Sequence, residues 1–295
     1  MFHDQNRKLG SFLVLLAAIG FAGKTILTKL VYRYGLDPLT LLTIRVVMAG
    51  AFFGAILVVN LARRRWTLDL TKKEWALVFL MGGGGYYVSS YLDFLGLFYV
   101  DANLGRMILF LYPTLVVAID SFISKVPVSR PTKASLAICY FGLFLMMAPN
   151  LGRPQANFLL GVAYVFLSAL LYAFYLVGVD RFFQGRSINF FVSLMFATAS
   201  LCVFAHFLAV KPLSALAQPL GAYWLILLMA SFSTVVPIYA LSSGLAMIGA
   251  PRAATLSMIG PAATLFMGVF VLGETIMPIQ FLGTALMILG VARIK

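Results

Sequence analysis

Charged residues inside long apolar stretches are the part of this sequence that could do chemistry. They are Lys24, Arg45, Asp93, Arg106 and Asp120. A charge at bilayer depth costs at least about 2.5–3.5 kcal/mol on insertion scales, so such residues are usually paired or hydrated. The cations outnumber the carboxylates, and an excess positive field in a cavity wall favours a ligand that carries a carboxylate or a phosphate. The chemistry that these residues indicate is therefore the binding of an anionic group.

Spacing around two predicted turns places four of these charges in pairs at equal depth. Asp93 and Arg106 lie almost equally far from the turn that separates them, and Lys24 and Arg45 similarly flank a turn at Gly35. At about 1.5 Å per helical residue, Asp93 and Arg106 lie roughly 10 Å inside the outer boundary, and we predict that they form a buried ion pair. Lys24 and Arg45 are predicted to line the same cavity, although the pattern also allows them to bond helix ends or backbone carbonyls.

A polar face on the third predicted helix extends this candidate cavity. Tyr86, Ser89, Ser90 and Asp93 follow one another at i, i+3, i+4 and i+7, which places them on one side of a helix. Tyrosines near the middle of the sixth and eighth helices either surround a bound molecule with rings and hydroxyls or simply pack. The predicted substrate-binding residues are Lys24, Arg45, Tyr86, Ser90, Asp93, Arg106, Tyr172, Tyr175 and Tyr239.

The fourth predicted helix carries a second polar stripe. Arg106, Pro113 and Asp120 are seven residues apart, so they fall on one face because two helical turns take about 7.2 residues. Pro113 frees a backbone carbonyl midway along this face. Asp120 either continues the stripe as a pathway wall or packs at the cytoplasmic end against Lys125 or Lys133.

The elements that must hold these residues are repeated in the sequence. Residues 101–147 reappear as residues 249–295, which lie 148 positions later. The identities include Ala102 with Ala250, Pro113 with Pro261 and Gly142 with Gly290. Because Pro113 and Pro261 recur at matching depths, we predict that both act as hinges in gating.

The first helix also resembles the sixth, at an offset of 151 that places Gly10 on Gly161. The repeat unit is therefore five helices, and the two domains are residues 1–150 and 151–295. Because five is an odd number, the second copy must enter the membrane from the opposite side. Two inverted halves enclose a cavity at their interface, which is the architecture of alternating access.

Composition independently requires a membrane protein. Hydrophobic residues make up 62% and charged residues 11% of the 295 residues, whereas soluble domains are about 45–50% apolar and about 25% charged. The mean hydropathy is +0.99, and the length allows roughly ten helices of about 20 residues. The predicted fold is thus an all-α membrane protein with about ten transmembrane helices, arranged as two inverted five-helix repeats.

The distribution of lysine and arginine predicts the orientation, because cytoplasmic loops carry the excess of these residues. With the N-terminus in the cytoplasm, fifteen cations fall on the inner side, namely Arg7, Lys8, Arg63, Arg64, Arg65, Lys72, Lys73, Lys125, Arg130, Lys133, Arg181, Arg186, Arg252, Arg293 and Lys295. The outer loops hold three, namely Arg33, Arg153 and Lys211. We therefore expect a multi-pass protein of the plasma (inner) membrane with both termini in the cytoplasm.

Several other classes of protein are excluded by the residues present. The net charge of +13 does not indicate nucleic-acid binding, because the cations are divided among loops rather than gathered on one surface. Cys139 and Cys202 lie in apolar runs, and with His3 and His206 they offer neither a disulfide framework nor a metal cluster. The sequence has no nucleophile elbow, paired aspartate motif or nucleotide loop, so we expect no enzyme activity, cofactor or metal.

Motifs in both halves match those of a known family. The first-half motif comprises Lys29, Pro38-Leu-Thr and Arg45. The second-half motif comprises Ala250-Pro-Arg-Ala-Ala, Pro261, Gly273-Glu274, Gly283 and Leu289-Gly-Val. With these motifs the chain resembles the drug/metabolite transporter superfamily, specifically its ten-helix exporters with paired EamA domains, of the aromatic amino acid exporter type. It departs from them at Lys24, where an asparagine is frequent, and at Lys125-Val126, where the second half has Gly-Glu.

The resemblance implies export of small metabolites, and the cationic cavity favours amino acids, with Lys24 and Arg106 receiving the carboxylate and tyrosines surrounding the side chain. Purines, nucleotide sugars and cationic drugs are alternative cargoes, the last if Asp93 is not paired. An integral membrane enzyme acting on a lipid is a less favoured class. The expected partners are a small-molecule substrate and the lipid bilayer. Proton coupling through Asp93, Asp120 or Glu274 and simple uniport are equally allowed.

Overall fold

The computed structural model of the protein describes residues 2–96, 99–100, 105, 108–148, 157–182, 187–273 and 277–293. Its side chains are described in these ranges except at 2–5, 25, 29, 147, 182 and 272. All of the regular structure within these ranges is helical. The predicted all-α fold is therefore confirmed for the described part of the chain.

The helices are numbered in chain order, and three of them are interrupted within their length. In the first half they are α1 Phe2–Tyr32, α2 Pro38–Ala62, α3 Lys72–Phe79 with Leu80–Val88 and Ser89–Gly96, α4 Tyr112–Ser124 and α5 Arg130–Met147. In the second half they are α6 Phe158–Phe182, α7 Ile188–Val210, α8 Leu220–Ala230 with Ser231–Val235 and Val236–Ile248, α9 Ala250–Leu256 with Ser257–Ile259 and Gly260–Leu272, and α10 Pro278–Ala292. A short 3-10 helix, Leu213–Leu216, precedes α8.

Six helices in the described part are long and apolar enough to cross a bilayer. They are Asn6–Tyr32, Pro38–Ala62, Phe158–Arg181, Ile188–Val210, Leu220–Ile248 and Ala250–Val271. Two shorter apolar helices are Tyr112–Ser124 and Pro278–Ala292. The chain is thus a multi-pass membrane protein by length and composition, and the count of ten spans stays a prediction.

The interruptions of α3 and α8 are π-helical segments, Leu80–Val88 and Ser231–Val235. In α3 the segment contains four consecutive glycines that let neighbouring helices approach. Gly82 lies against the Met195 carbonyl of α7, where an added Cβ would overlap the backbone. Segments of this kind are rare and often occur at functional sites.

Prolines lie where the fourth helix begins and where the ninth helix resumes after its interruption. Pro113 is the second residue of α4, and Pro261 follows the point at Gly260 where α9 resumes after the 3-10 segment Ser257–Ile259. A proline ring has no N–H to donate and clashes with the carbonyl four residues earlier, so a helix cannot run through it undisturbed. A helical segment begins one residue before each proline, and the role of the two prolines as gating hinges stays a prediction.

Local side-chain bonds define where helices start. Asp37 caps α2 by accepting from the backbone N–H groups of Leu39 at 3.0 Å and Thr40 at 3.2 Å, and Pro38 fixes the first turn. Lys211 lies 2.7 Å from the same carboxylate. Partial burial acts to raise the pKa of Asp37, but bonds from Lys211 and Thr40 outweigh it and leave the pKa below its ordinary value.

Left-handed residues mark where α4 and α9 end. Lys125 has φ 57 and Gly273 has φ 69, and these positions are 148 apart in sequence. Glycine adopts this conformation without strain, whereas a residue with a Cβ does not. The turn after α4 therefore has a lysine in the left-handed conformation, whereas the corresponding turn after α9 has a glycine.

Glycines bring α5 and α10 into close contact. A Cβ added at Gly142 would lie 2.5 Å from the Gly283 carbonyl oxygen, and one added at Gly290 would lie 2.5 Å from the Cys139 sulfur. Between these contacts the Cys139 thiol donates to the Met287 carbonyl at 3.7 Å. Rising residue numbers on α5 meet falling numbers on α10, so the two helices run antiparallel.

The contacts of α1 with α8 mirror those of α6 with α3. The first contact joins Gly10 with Gly244, Met247 and Ile248, and the second joins Gly161 with Gly96, Tyr99 and Val100. The offsets of 151 for α1 and α6 and of 148 for α3 and α8 convert one set of contacts into the other. The two halves therefore pack on each other reciprocally.

The helix bundle has two ends, which we name by the turns found there. At the α1–α2 end, Tyr34 in the turn after α1 lies against Gly221 at the start of α8. At the α8–α9 end, Gly249 lies near the Asp180 carboxylate of α6, and Gly10 near the start of α1 lies against Ile248. The α2–α3 loop is at this second end, because Trp66 contacts the ring of Phe190 at the start of α7.

Candidate functional site

A cavity of about 490 Å³ lies between α1, α3, α4, α6, α8 and α9, with one residue of α2 also lining it. Both halves of the chain contribute to its wall. Small-molecule sites are typically concave spaces of about 300–1,000 Å³ with a few polar groups in a largely apolar wall. The cavity is therefore large enough for a metabolite.

Charged residues line the cavity from the first half of the chain. Within the described residues they are Lys24, Arg45 and Asp93. Arg45 is only 4% exposed, and its Nε has no hydrogen-bond partner among the described residues. A buried donor without an acceptor costs about 1–3 kcal/mol, and more when the group is charged. An acceptor on a bound molecule would remove this cost.

Four tyrosines form a connected aromatic wall in the cavity. The ring of Tyr172 stacks on that of Tyr175 with centroids 5.9 Å apart, and Tyr112 meets Tyr172 edge-on at 5.2 Å. Tyr86 adjoins Tyr175 at 6.0 Å. Aromatic pairs at 4.5–7 Å stabilise one another, so these ring contacts stabilise the arrangement of the four tyrosines. All four line the cavity.

Most cavity hydroxyls with a described bond donate it within the protein. Ser89 donates to the Ser168 carbonyl at 3.0 Å, and Ser168 donates back to the Ser89 carbonyl at 2.7 Å. On α8 and α9, Ser242 and Ser257 each donate to the carbonyl four residues earlier, at 2.8 and 2.9 Å. These hydroxyls are therefore bonded within the protein, and the Ser89–Ser168 pair joins α3 to α6.

The polarity of the cavity changes along the bundle. α1 and α8 are antiparallel, with Gly20 against Pro237 and Gly23 against Ser233. Lys24 lies beyond these contacts toward the α1–α2 end, whereas Leu241 and Leu245 line the cavity toward the α8–α9 end. The cavity is therefore charged at one end and lined by aliphatic side chains at the other.

Comparison with known proteins identifies the family. Two segments, residues 8–148 and 159–294, match the EamA-like transporter family, and together they span nearly the whole chain.

The chain belongs to the EamA-like transporter family.

Similar proteins agree with this assignment. The chain is 30% identical over 282 residues to the uncharacterized transporter YcbK of Bacillus subtilis (strain 168), covering 93% of this chain and 88% of YcbK. It also superposes on the crystal structure of another protein with a TM-score of 0.81 over 97% of both chains, at 18% identity. The second likeness concerns the fold alone. The protein is thus an EamA transporter of the drug/metabolite transporter superfamily, a class whose members are usually not enzymes.

The cavity of this EamA transporter brings together most of the residues that the sequence predicted as a site. Those that line it are Lys24, Arg45, Tyr86, Ser90, Asp93, Tyr172, Tyr175 and Pro261. They reach it from five helices and both halves of the chain. Their part in substrate binding and gating stays a prediction. Arg106 and Glu274 lie outside the described residues, and so does the predicted ion pair of Asp93 with Arg106.

Two other predicted residues do not line the cavity. The Tyr239 hydroxyl bonds to Ser193 at 2.8 Å, and its ring stacks on Phe53 with centroids 5.1 Å apart. Tyr239 therefore joins α8 to α2 and α7. Pro113 is buried within α4, and its neighbour Tyr112 lines the cavity instead.

Asp120 has a different partner from the two that the sequence offered. Its Oδ1 accepts from the Arg181 Nε at 3.0 Å and from the Arg181 Nη2 at 2.5 Å. The prediction of a bond to Lys125 or Lys133 placed the partner too close in sequence. Arg181 at the end of α6 is brought beside α4 by packing between the halves, which spacing along one helix does not reveal.

Sequence reasoning missed several residues of the wall, including Tyr112, Ser168 and Val179. A signal for two of them was present. Ser168, Tyr172, Tyr175 and Val179 follow at i, i+4, i+7 and i+11, which is one face of a helix. Extending the face from the two predicted tyrosines would have found them. No comparable pattern marks Tyr112.

Proposed function

We propose that this transporter exports small metabolites, amino acids above all, by alternating access. The observation that carries the proposal is Arg45, which lines the cavity while its buried Nε has no partner among the described residues. A substrate carboxylate would supply the missing acceptor in a bond to a charged donor, the stronger kind of hydrogen bond. Lys24 lines the same end of the cavity and would add a second cation.

Alternating access in this proposal rests on two inverted five-helix repeats, residues 1–150 and 151–295, with ten transmembrane helices in all. The antiparallel pairing of α5 with α10, which are repeat counterparts, supports opposite insertion of the halves. The reciprocal contacts of Gly10 and Gly161 support a two-fold relation between them. A cavity between two such halves can open to either side as one rocks against the other.

The membrane setting is part of the same proposal. We place the transporter in the plasma (inner) membrane with both termini in the cytoplasm, on the positive-inside distribution of lysine and arginine. The α8–α9 end then faces the cytoplasm and the α1–α2 end faces outward. Protons are a candidate coupling ion, with Asp93 a titratable carboxylate among the described residues that line the cavity.

Flux into proteoliposomes tests the proposal. Purified transporter would be reconstituted and supplied with labelled amino acids, with and without a pH gradient. Saturable flux of one or more amino acids is the expected result, and a dependence on the gradient would assign proton coupling. Lys24→Ala is expected to weaken transport of carboxylate-bearing cargo. Flux of purines, nucleotide sugars or cationic drugs with none of any amino acid would overturn the amino-acid proposal.

A cationic cargo is the second candidate, and the aromatic wall with a nearby carboxylate favours it. Rings of tyrosine attract cations over their faces, and Asp93 would neutralise the positive charge. Replacement of Asp93 by asparagine separates the two candidates. Loss of cationic-drug flux with amino-acid flux retained would assign the cationic cargo.

A further inference from the structure

We infer that the cargo lies lengthwise in the cavity, with its anionic group at the α1–α2 end and its apolar part against Leu241 and Leu245 at the α8–α9 end. This inference rests on the proposed function, and it names the residues that set cargo length. The cargo class is an amphipathic carboxylate.

The charged and apolar levels of the cavity are well separated. Gly20 of α1 lies against Pro237 of α8. Lys24 is four residues from Gly20 in one direction, and Leu241 is four residues from Pro237 in the other. Eight residues at about 1.5 Å each place the two levels roughly 12 Å apart along the bundle. A small amphipathic molecule can therefore contact both levels when the lysine side chain reaches inward.

The apolar end offers a bound molecule few hydrogen bonds. Leu241 is 7% and Leu245 is 1% exposed, and Leu176 and Val179 of α6 line the cavity beside them. The Ser242 hydroxyl between them lies 2.8 Å from both the Ile238 carbonyl oxygen and the Asn189 side-chain oxygen. A carboxylate placed here would lose its hydration without gaining partners, whereas an aliphatic or aromatic side chain would gain contact area.

Binding by a graded series of amino acids tests the orientation. The thermal stabilisation of purified protein would be measured with alanine, leucine and phenylalanine at equal concentration. Leu241→Phe shortens the apolar end, so it should remove the stabilisation by leucine and phenylalanine and leave that by alanine. Leu228→Phe is the matched control, because Leu228 lies on the same helix and is 44% exposed on its outer face.

The outcomes distinguish this inference from the proposed function. Equal loss for all three amino acids in Leu241→Phe, or no loss for any, would overturn the orientation. Failure of wild-type protein to be stabilised by any of them would overturn it as well. Stabilisation with the predicted length dependence but no flux in proteoliposomes would uphold the orientation and reject amino-acid export.

A different observation carries a second proposal: we propose that Asp180 and Arg181 at the end of α6 latch the α8–α9 end closed. Arg181 bonds to Asp120 of α4. Asp180 accepts from the Ala250 backbone N–H, the first residue of α9, at 3.0 Å. A carboxylate is stabilising at a helix N-terminus. Two adjacent residues thus tie α6 to both α4 and α9.

The latch adjoins the cavity. Val179, the residue before Asp180, lines the apolar end. Opening the cavity at this end requires α6 to part from α4, from α9 or from both. Either movement breaks at least one of the two polar contacts.

The α1–α2 end does not have the same latch, because different residues occupy the repeat-equivalent positions. With the offset of 151, Asp180 and Arg181 correspond to Lys29 and Leu30 of α1. With the offset of 148, Asp120 corresponds to Gly268 of α9. Leucine and glycine side chains form no ion pair, and lysine is unfavourable at a helix N-terminus. This latch is therefore particular to the α8–α9 end.

Accessibility of a reporter cysteine tests the latch. Val179→Cys would be placed in a Cys202→Ala background, and its labelling by a membrane-impermeant maleimide measured from each side of oriented vesicles. Asp120→Asn and Asp180→Asn should each raise labelling from the α8–α9 side about tenfold. The matched control is Asp69→Asn, which removes an exposed carboxylate from a loop at the same end.

A charge-exchange variant distinguishes loss of the ion pair from misfolding. The double variant Asp120→Arg with Arg181→Asp should restore low labelling, because it rebuilds the ion pair with the charges reversed. Unchanged labelling in both single variants would overturn the latch. Raised labelling that the exchange does not restore would overturn the role of the Asp120–Arg181 pair.

Discussion

A buried guanidinium is the most consequential single residue in this transporter. Arg45 lies in α2, whose other buried neighbours are apolar or threonine, and it is the one cavity-lining residue from that helix. Its burial is costly unless a charge or acceptor is supplied. The residue is explained by function more readily than by folding, since a methionine would fill the same space without that cost.

Arg45→Met tests this explanation. The variant should weaken binding of a carboxylate cargo about ten- to a hundredfold, because hydrogen bonds to charged groups contribute about 1.5–3 kcal/mol. The fold should be no less stable, because a buried donor without a hydrogen-bond partner among the described residues has been removed. Cargo-dependent thermal stabilisation measures the first effect and cargo-free unfolding the second. Arg33→Gln, an exposed cation at the same end, is the control, and equal weakening there would contradict a specific role for Arg45.

At the scale of helices, corresponding helices in the two halves start and end at equivalent positions, in part with different residues. Lys125 and Gly273 end corresponding helices in the same left-handed conformation, and helical segments begin one residue before both Pro113 and Pro261. Helix ends and proline breaks follow from local chemistry, so they recur wherever the sequence repeats. Partner choices such as Asp120 with Arg181 depend on packing between halves and do not recur.

Lys125→Gly should stabilise the transporter by about 0.5–1 kcal/mol, because a left-handed conformation costs a residue with a Cβ roughly 1–2 kcal/mol and glycine gives back part of this as unfolded-state entropy. The reverse change, Gly273→Lys, should destabilise. Thermal unfolding in detergent compares both variants with wild type. A fall in stability for Lys125→Gly would show that the lysine side chain makes a compensating contact.

Gly142→Ala should destabilise the α5–α10 contact by about 1–3 kcal/mol, the usual cost of overpacking. Its Cβ would lie 2.5 Å from the Gly283 carbonyl oxygen, which is backbone and cannot turn aside. Gly54→Ala on α2 is the control, because a Cβ there meets nothing within 4 Å, and alanine is the better helix former. Equal unfolding temperatures for the two variants would contradict the close contact.

At the scale of the whole molecule, the repeat predicted more than the helix positions. The repeat offsets also relate pairs of tertiary contacts, because they convert the contact of Gly10 with Gly244 into that of Gly161 with Gly96. Most of the predicted site residues line one cavity because hydropathy places their helices and periodicity places their faces. The prediction that Tyr239 lines the cavity was wrong. The rotation of α8 relative to α7 decides whether its hydroxyl faces the cavity or bonds to Ser193, and the sequence does not give that rotation.

The orientation in the membrane is a prediction for the molecule as a whole. A fluorescent protein fused after residue 295 should fluoresce, because both termini are placed in the cytoplasm. Alkaline phosphatase inserted within residues 213–218 should be active, because that loop is placed outside. A matched insertion within residues 66–70 should be inactive. The opposite pattern at any of these three points would contradict the orientation.

The contact of Cys139 with Met287 maps onto itself when the two halves are exchanged. The two residues are 148 positions apart, so exchanging the halves returns the pair to itself, and the flanking glycine contacts of α5 and α10 change places with each other. A rocking motion that swaps the roles of the halves leaves such a seam with the same neighbours throughout. In the proposed alternating access α5 and α10 would stay in contact, and we expect substitutions there to change stability and not the side to which the cavity opens.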